Sequence, residues 1–163
     1  RYRDIVENKT AVLLGACCRI GAILGLASPE EEEAVASYGL NLGMTFQIVD
    51  DLLDLAGDPA VLGKPVLSDL AEGRLTLPLI RTLQTGGRAG RERIKALVGR
   101  KDILVSEQKE LIDALAAGDA LDYARGRAAG YAEKSLEAID PFPESPTRET
   151  LIRLAVFGLT RKK

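Results

Sequence analysis

From Tyr2 to about Leu26 the apolar residues Ile5, Val6, Val12, Leu13, Ala16, Cys17, Ile20, Ile23 and Leu24 return at three- and four-residue steps. That is the period of one helical face, so the chain opens on a long helix. Ser28-Pro29-Glu30-Glu31 then supplies a capping serine, a proline at the first helical position and a glutamate three residues after the cap. Acids there also favour the positive helix end, so a second helix starts at this point. It runs to about Leu55 and stops at the breaker cluster Gly57-Asp58-Pro59.

Residues 57–73, GDPAVLGKPVLSDLAEG, carry two prolines and three glycines and no sustained period. A loop of this length inside a domain is functional or disordered, and a short helical turn is expected near Asp69. LTLPLIRTL is helical up to Gly86-Gly87, and RERIKALV makes a further short helix. Ser106 is expected to cap a helix ending at Gly118, and Asp119 a longer one reaching about Ile139. PFPESP breaks the chain, and TRETLIRLAVFGL closes it as a last helix before Arg161, Lys162 and Lys163. No strand-like alternation, internal repeat or low-complexity tract interrupts this pattern. The fold class read from it is all-α, with the helices packed as a bundle.

Composition narrows the chemistry open to such a bundle. Lys and Arg number 22 against 24 Asp and Glu, which gives no basic excess for nucleic acid. Any anionic ligand must therefore be held locally. There is no histidine, which removes the commonest catalytic base and the commonest zinc ligand together, and leaves the polar chemistry to carboxylates. No apolar run approaches the roughly 18 to 20 residues needed to span a bilayer, and no leader pattern opens the chain, so a cytoplasmic protein is expected. The two cysteines, Cys17 and Cys18, are adjacent on one helix, where a disulfide is strained, and read as reduced apolar residues. The chain begins at Arg1 inside a helical pattern, from which a preceding segment is expected.

The candidate chemistry lies in FQIVDDLLD, residues 46–54. On a helix Asp50, Asp51 and Asp54 fan over about 100° of arc, because residues three and four apart share a face. Like charges at that spacing cost an isolated helix about 0.2 to 0.5 kcal/mol per pair, and more beside apolar walls. A cation reverses the sign. Two readings stand: a solvated acidic helix end, or a carboxylate patch lining a cavity in the bundle. The apolar neighbours Phe46, Ile48, Val49, Leu52, Leu53 and Leu55 favour the second, since they leave no polar face except the acids and Gln47. Oxygen ligands without His or Cys select a hard ion such as magnesium, which is held by one or two carboxylates plus substrate phosphates.

Cations stand near this patch. Lys64 lies between Gly63 and Pro65 on the long loop, Arg74 follows Glu72-Gly73, and Lys9-Thr10 interrupts a mostly apolar stretch of the first helix. Lys9 alone reads as a snorkelling surface lysine; with Thr10 and a magnesium-type patch it reads as part of a diphosphate clamp. Gln47, one turn before the acids, either donates to a phosphate oxygen or is a core glutamine bonded to backbone. Gly39 and Gly43, four apart, mark a close helix contact and not a ligand site.

Taken in order, DIVENKTAVLL, FQIVDDLLD and DPAVLGKPVLSDLAEGRLTLPLI resemble the Lys-Thr helix and second aspartate-rich region of the trans-isoprenyl diphosphate synthases, the polyprenyl synthetase family. The resemblance is strong over about the first 85 residues. It implies the isoprenoid-synthase type of all-α bundle, here only its C-terminal half, with residues 57–73 as an active-site loop and 1–163 as part of one domain. By the same resemblance Asp50 and Asp54 would be Mg2+ ligands, Asp51 a direct or supporting partner, and Asp69 a supporting carboxylate. Lys9, Thr10 and Lys64 would hold an allylic prenyl diphosphate, and Phe46 and Gln47 would lie toward isopentenyl diphosphate. Arg74 stands where the family often has lysine. The implied reaction condenses the two diphosphates to lengthen a trans-polyprenyl chain by one five-carbon unit, in a homodimer. Missing are the first aspartate-rich motif, the basic residues for isopentenyl diphosphate and the helix that sets product length, so this stretch alone is expected to be inactive. Two alternatives remain: a terpene cyclase on the same fold, against which DDLLD argues, and a non-catalytic partner subunit of a heteromeric synthase.

Overall fold

The computed structural model describes residues 1–56 and 67–161 of the 163-residue chain. Lys64 and most of the predicted loop lie outside the described residues. Every regular element among those described is helical: α1 (Tyr2–Val6), a π-helical turn (Glu7–Ala11), α2 (Val12–Leu24), α3 (Pro29–Ala56), α4 (Ser68–Ala71), α5 (Leu77–Thr85), α6 (Arg88–Leu97), α7 (Val105–Ala116), α8 (Ala120–Ile139) and α9 (Pro146–Thr160). The all-α reading holds. None of these helices is long and apolar enough to cross a membrane.

Most boundaries follow the local chemistry. Ser28 and Glu31 close the expected capping box: Ser28 N donates to Glu31 Oε2 at 2.8 Å and Glu31 N to Ser28 Oγ at 3.3 Å. Ser145 caps α9, accepting from Arg148 N at 3.1 Å. At α7 the expectation of a Ser106 cap is wrong. The helix begins at Val105, and the Glu107 carboxylate accepts from Leu104 N at 3.0 Å, as Arg100 holds it with bonds of 3.0 and 3.1 Å. Arg100 anchors this carboxylate, and the helix starts two residues before the place a Ser106 cap would set. Asp119 directly precedes α8 as expected, but its carboxylate accepts from Arg81 Nε at 3.1 and 3.2 Å.

The chain forms two compact units. The first comprises Arg1–Val49 and Arg127–Arg161. In it α3 receives α8 and α9: Tyr38, Ile139 and Ala155 form a buried cluster, the Tyr38 hydroxyl donates to Leu151 O at 2.8 Å, and Ser135 Oγ donates to Tyr38 O at 3.3 Å. A second cluster joins Val6, Ala11 and Met44. The first helix lies against α3 at the two predicted glycines. A Cβ on Gly39 would stand 2.6 Å from Leu14 O, and one on Gly43 would stand 2.5 Å from Ala11 Cα, so only glycine lets the backbones meet.

This docking selects the face of the first helix that is covered. Of the residues whose spacing predicts that helix, only Val6 is buried; Leu13 is 64% and Leu24 79% exposed, and Ile5, Val12, Ala16, Cys17, Ile20 and Ile23 are exposed with them. The periodicity is right, but the small-residue face packs against α3 and the greasy face is left uncovered by the described residues.

The second unit contains Asp50–Gly126. Its core is a leucine cluster, Leu55, Leu67, Leu70, Leu79, Leu97, Leu111 and Leu115 with Ile94, all buried. Each such side chain contributes about 1.5 to 3 kcal/mol when taken from water. The expected turn near Asp69 is α4.

Candidate functional site

The site residues fall on two groups, one in each unit. In the first, the Lys-Thr pair sits inside the π-helical turn Glu7–Ala11. Such turns are rare and recur at functional positions, because one extra residue per turn re-aims the side chains around it. The Thr10 hydroxyl donates to Gln47 Oε1 at 2.8 Å, and Gln47 is buried. The two predicted residues are therefore brought together, and Gln47 is held by a side chain from another helix. Lys9 is exposed.

Phe46, next to Gln47, is partly exposed and covered on one face. The Arg161 guanidinium lies 3.8 Å from the ring centroid and donates from Nη2 to Phe46 O at 3.1 Å. A cation over an aromatic face at this distance is attractive by about 0.5 to 2 kcal/mol. No motif or spacing signals this pairing between residues 115 positions apart.

In the second unit Asp51 and Asp54 are buried and Asp50 is half-buried. Asp54 is bonded to the start of α4: Oδ1 accepts from Ser68 N at 3.2 Å and from the Ser68 hydroxyl, and Oδ2 accepts from Asp69 N at 3.0 Å. Its backbone carbonyl accepts from Leu67 N at 2.7 Å. Leu67 is held with φ 62°, a left-handed conformation that costs a branched residue about 1 to 3 kcal/mol. Four bonds from one aspartate offset that cost. Asp69 faces Arg74, whose Nε reaches its Oδ1 at 2.8 Å; Glu72 pairs with the same guanidinium. The Asp69 hydrogen bond raises the Arg74 pKa, so this side chain stays charged. Ser68 is the partner that sequence reasoning missed, although Ser-Asp at a helix start is a capping signal.

Among the described residues no group of three or more His, Cys, Asp or Glu side chains is spaced to hold a metal ion by itself. An all-protein cage does not fit. The donor set does fit a magnesium-type ion, which takes one or two hard carboxylate oxygens and completes its shell with water and substrate phosphates.

The comparisons give this geometry a context. The polyprenyl synthetase family profile matches residues 1–115. The chain is 38% identical over 162 residues to a short chain isoprenyl diphosphate synthase of Methanothermobacter thermautotrophicus, covering 99% of this chain and 49% of that protein. To the octaprenyl diphosphate synthase of Escherichia coli it is 35% identical, with 99% and 50% covered. The fold matches a crystal structure of polyprenyl synthase from Caulobacter crescentus, complexed with calcium and isoprenyl diphosphate, at a TM-score of 0.90 and 34% identity, over 99% of this chain and 49% of that one. The chain belongs to the polyprenyl synthetase family, and it spans about half the length of the curated relatives it matches.

Proposed function

We propose that this chain is the C-terminal half of a trans-polyprenyl diphosphate synthase, residues 1–163 forming part of one catalytic domain with 57–73 as its active-site loop. The parent would condense isopentenyl diphosphate with an allylic prenyl diphosphate. The observation that carries this reading is the full-length likeness of the chain to half of a synthase whose crystal structure holds calcium and isoprenyl diphosphate.

In this reading Asp50, Asp51 and Asp54 present hard oxygens to Mg2+, and Asp69 supports them. The bound ion would neutralise charge developing on the departing diphosphate. Asp54 does double work, since the same carboxylate orders the Ser68–Asp69 backbone. Lys9 and Lys64 supply positive charge to the allylic diphosphate. Thr10 and Gln47 form one hydrogen-bonded unit, in which Oε1 accepts from the Thr10 hydroxyl and the amide nitrogen is the donor end. Phe46 offers an apolar, partly exposed surface on the side of isopentenyl diphosphate, steadied by Arg161. Arg74, paired with Asp69 and Glu72, acts through those acids or exchanges them for a phosphate. Apolar walls keep water from an allylic cation.

The homodimeric state and a cytoplasmic location belong to the same proposal. The test is incorporation of labelled isopentenyl diphosphate into polyprenyl product by the parent protein with magnesium. No incorporation removes the proposal.

A further inference from the structure

Gly43 and Gln47 lie one helical turn apart on α3, and Ala11 and Thr10 are consecutive in the π-turn. The two pairs meet: Ala11 rests on Gly43, and Thr10 donates to Gln47 Oε1 at 2.8 Å. We infer that Gly43 is a positioning residue for the Thr10–Gln47 pair. Its missing side chain sets the depth at which the π-turn lies on α3, and that depth brings the hydroxyl within reach of the amide.

The distances make the dependence steep. A Cβ at Gly43 would stand 2.5 Å from Ala11 Cα and 3.2 Å from Ala11 N, both backbone atoms that cannot swing aside. Ordinary contact needs about an ångström more, and a hydroxyl-to-oxygen bond stretched by that amount is lost. In a π-turn one extra residue is spread over the turn, so Thr10 and Ala11 both address α3 and share any displacement. Without the Thr10 proton, the Gln47 amide loses the bond that fixes which end is the donor. The proposed function enters only in what the pair binds, not in how it is held.

The test uses the full chain and two readouts. The variants are Gly43→Ala and Thr10→Val, with Gly21→Ala as the control, since nothing lies within 4 Å of a Cβ at Gly21. The first readout is the Gln47 side-chain amide resonance in 15N-glutamine-labelled protein, identified by its loss in Gln47→Glu. Gly43→Ala and Thr10→Val should move it to the same new position, while Gly21→Ala and Thr10→Ser leave it in place. An unmoved resonance in folded Gly43→Ala overturns the inference. Should that variant fail to fold, Ala11→Ser adds one atom from the opposite side and replaces it, with the same two outcomes. The second readout is binding of inorganic diphosphate with magnesium by calorimetry. Each single variant should weaken it about fivefold, the worth of one hydrogen bond, and the Gly43→Ala/Thr10→Val double variant should be no weaker than either alone. Additive losses overturn the inference. Absence of binding by the unaltered chain defeats the proposed ligand, and the amide resonance then decides the positioning role by itself.

Discussion

Asp54 holds the backbone amide of Ser68 at 3.2 Å across fourteen positions of sequence, and Asp69 N at 3.0 Å beside it. The last acid of the motif is therefore also the fastening of the segment that follows. Asp54→Ala should cost about 2 to 3 kcal/mol, the range for hydrogen bonds to a charged acceptor, and speed hydrogen exchange at Ser68 and Asp69 amides. Asp54→Asn should do nearly as much, because whichever way the amide turns, one end presents a donor to a donor. Unchanged exchange in both variants would show that α4 stands without this carboxylate.

Two leucines occupy left-handed backbone, Leu26 at φ 56° and Leu67 at φ 62°. Leu26 ends α2 in a Schellman turn, with Ala27 N donating to Ala22 O and Leu26 N to Ile23 O, both at 3.1 Å, and its side chain is 92% exposed. Glycine suits that position, so Leu26→Gly should raise stability by about 1 kcal/mol. Leu67 is buried in the leucine core, and Leu67→Gly should lower stability by at least about 2 kcal/mol despite relieving the same strain. Thermal denaturation of the pair reads the opposite signs.

Glycine contacts give a second paired prediction. Gly39→Ala would drive a methyl to 2.6 Å from Leu14 O and 2.7 Å from Cys18 Sγ, and should destabilise by about 1 to 3 kcal/mol. Gly21→Ala meets nothing and should stabilise by about 0.5 to 1 kcal/mol through helix propensity. Chemical denaturation midpoints check both.

What the sequence made legible was local. The Ser28–Glu31 box, the Gly39/Gly43 step and the Thr10–Gln47 candidates each rest on spacing within a turn or on a small-residue pattern. The π-turn has no signature in the sequence: Glu7–Ala11 reads as a polar interruption of an ordinary helix, and the apolar period resumes at Val12. The Ser106 cap does not form: the helix starts at Val105, where Glu107 accepts from Leu104 N while paired with Arg100. Arg161 over Phe46, 115 positions apart, had no sequence signal. Apolar spacing does not tell which face of the first helix meets α3, because glycine contacts and not apolar area decide it.

Burial, then the neighbouring Cys18 thiol, pushes the Tyr38 hydroxyl up to about 12. The folded value exceeds the unfolded one near 10, so the stabilisation is fully present below about pH 10 and is lost as pH rises through 12. One tyrosine should ionise only near pH 12, with unfolding, and that late step should vanish in Tyr38→Phe. Titration of tyrosinate absorbance checks this; an unchanged curve in the variant contradicts it.

Asp50, Asp51 and Asp54 are proposed to recognise a magnesium-bound diphosphate, and calorimetric titration of the chain with inorganic diphosphate, with and without magnesium, measures that recognition. Binding should require the metal and weaken at least about tenfold in Asp50→Asn, the scale of one lost charged contact. Metal-independent binding, or equal affinity in that variant, would show that these carboxylates do not hold a magnesium-bound diphosphate.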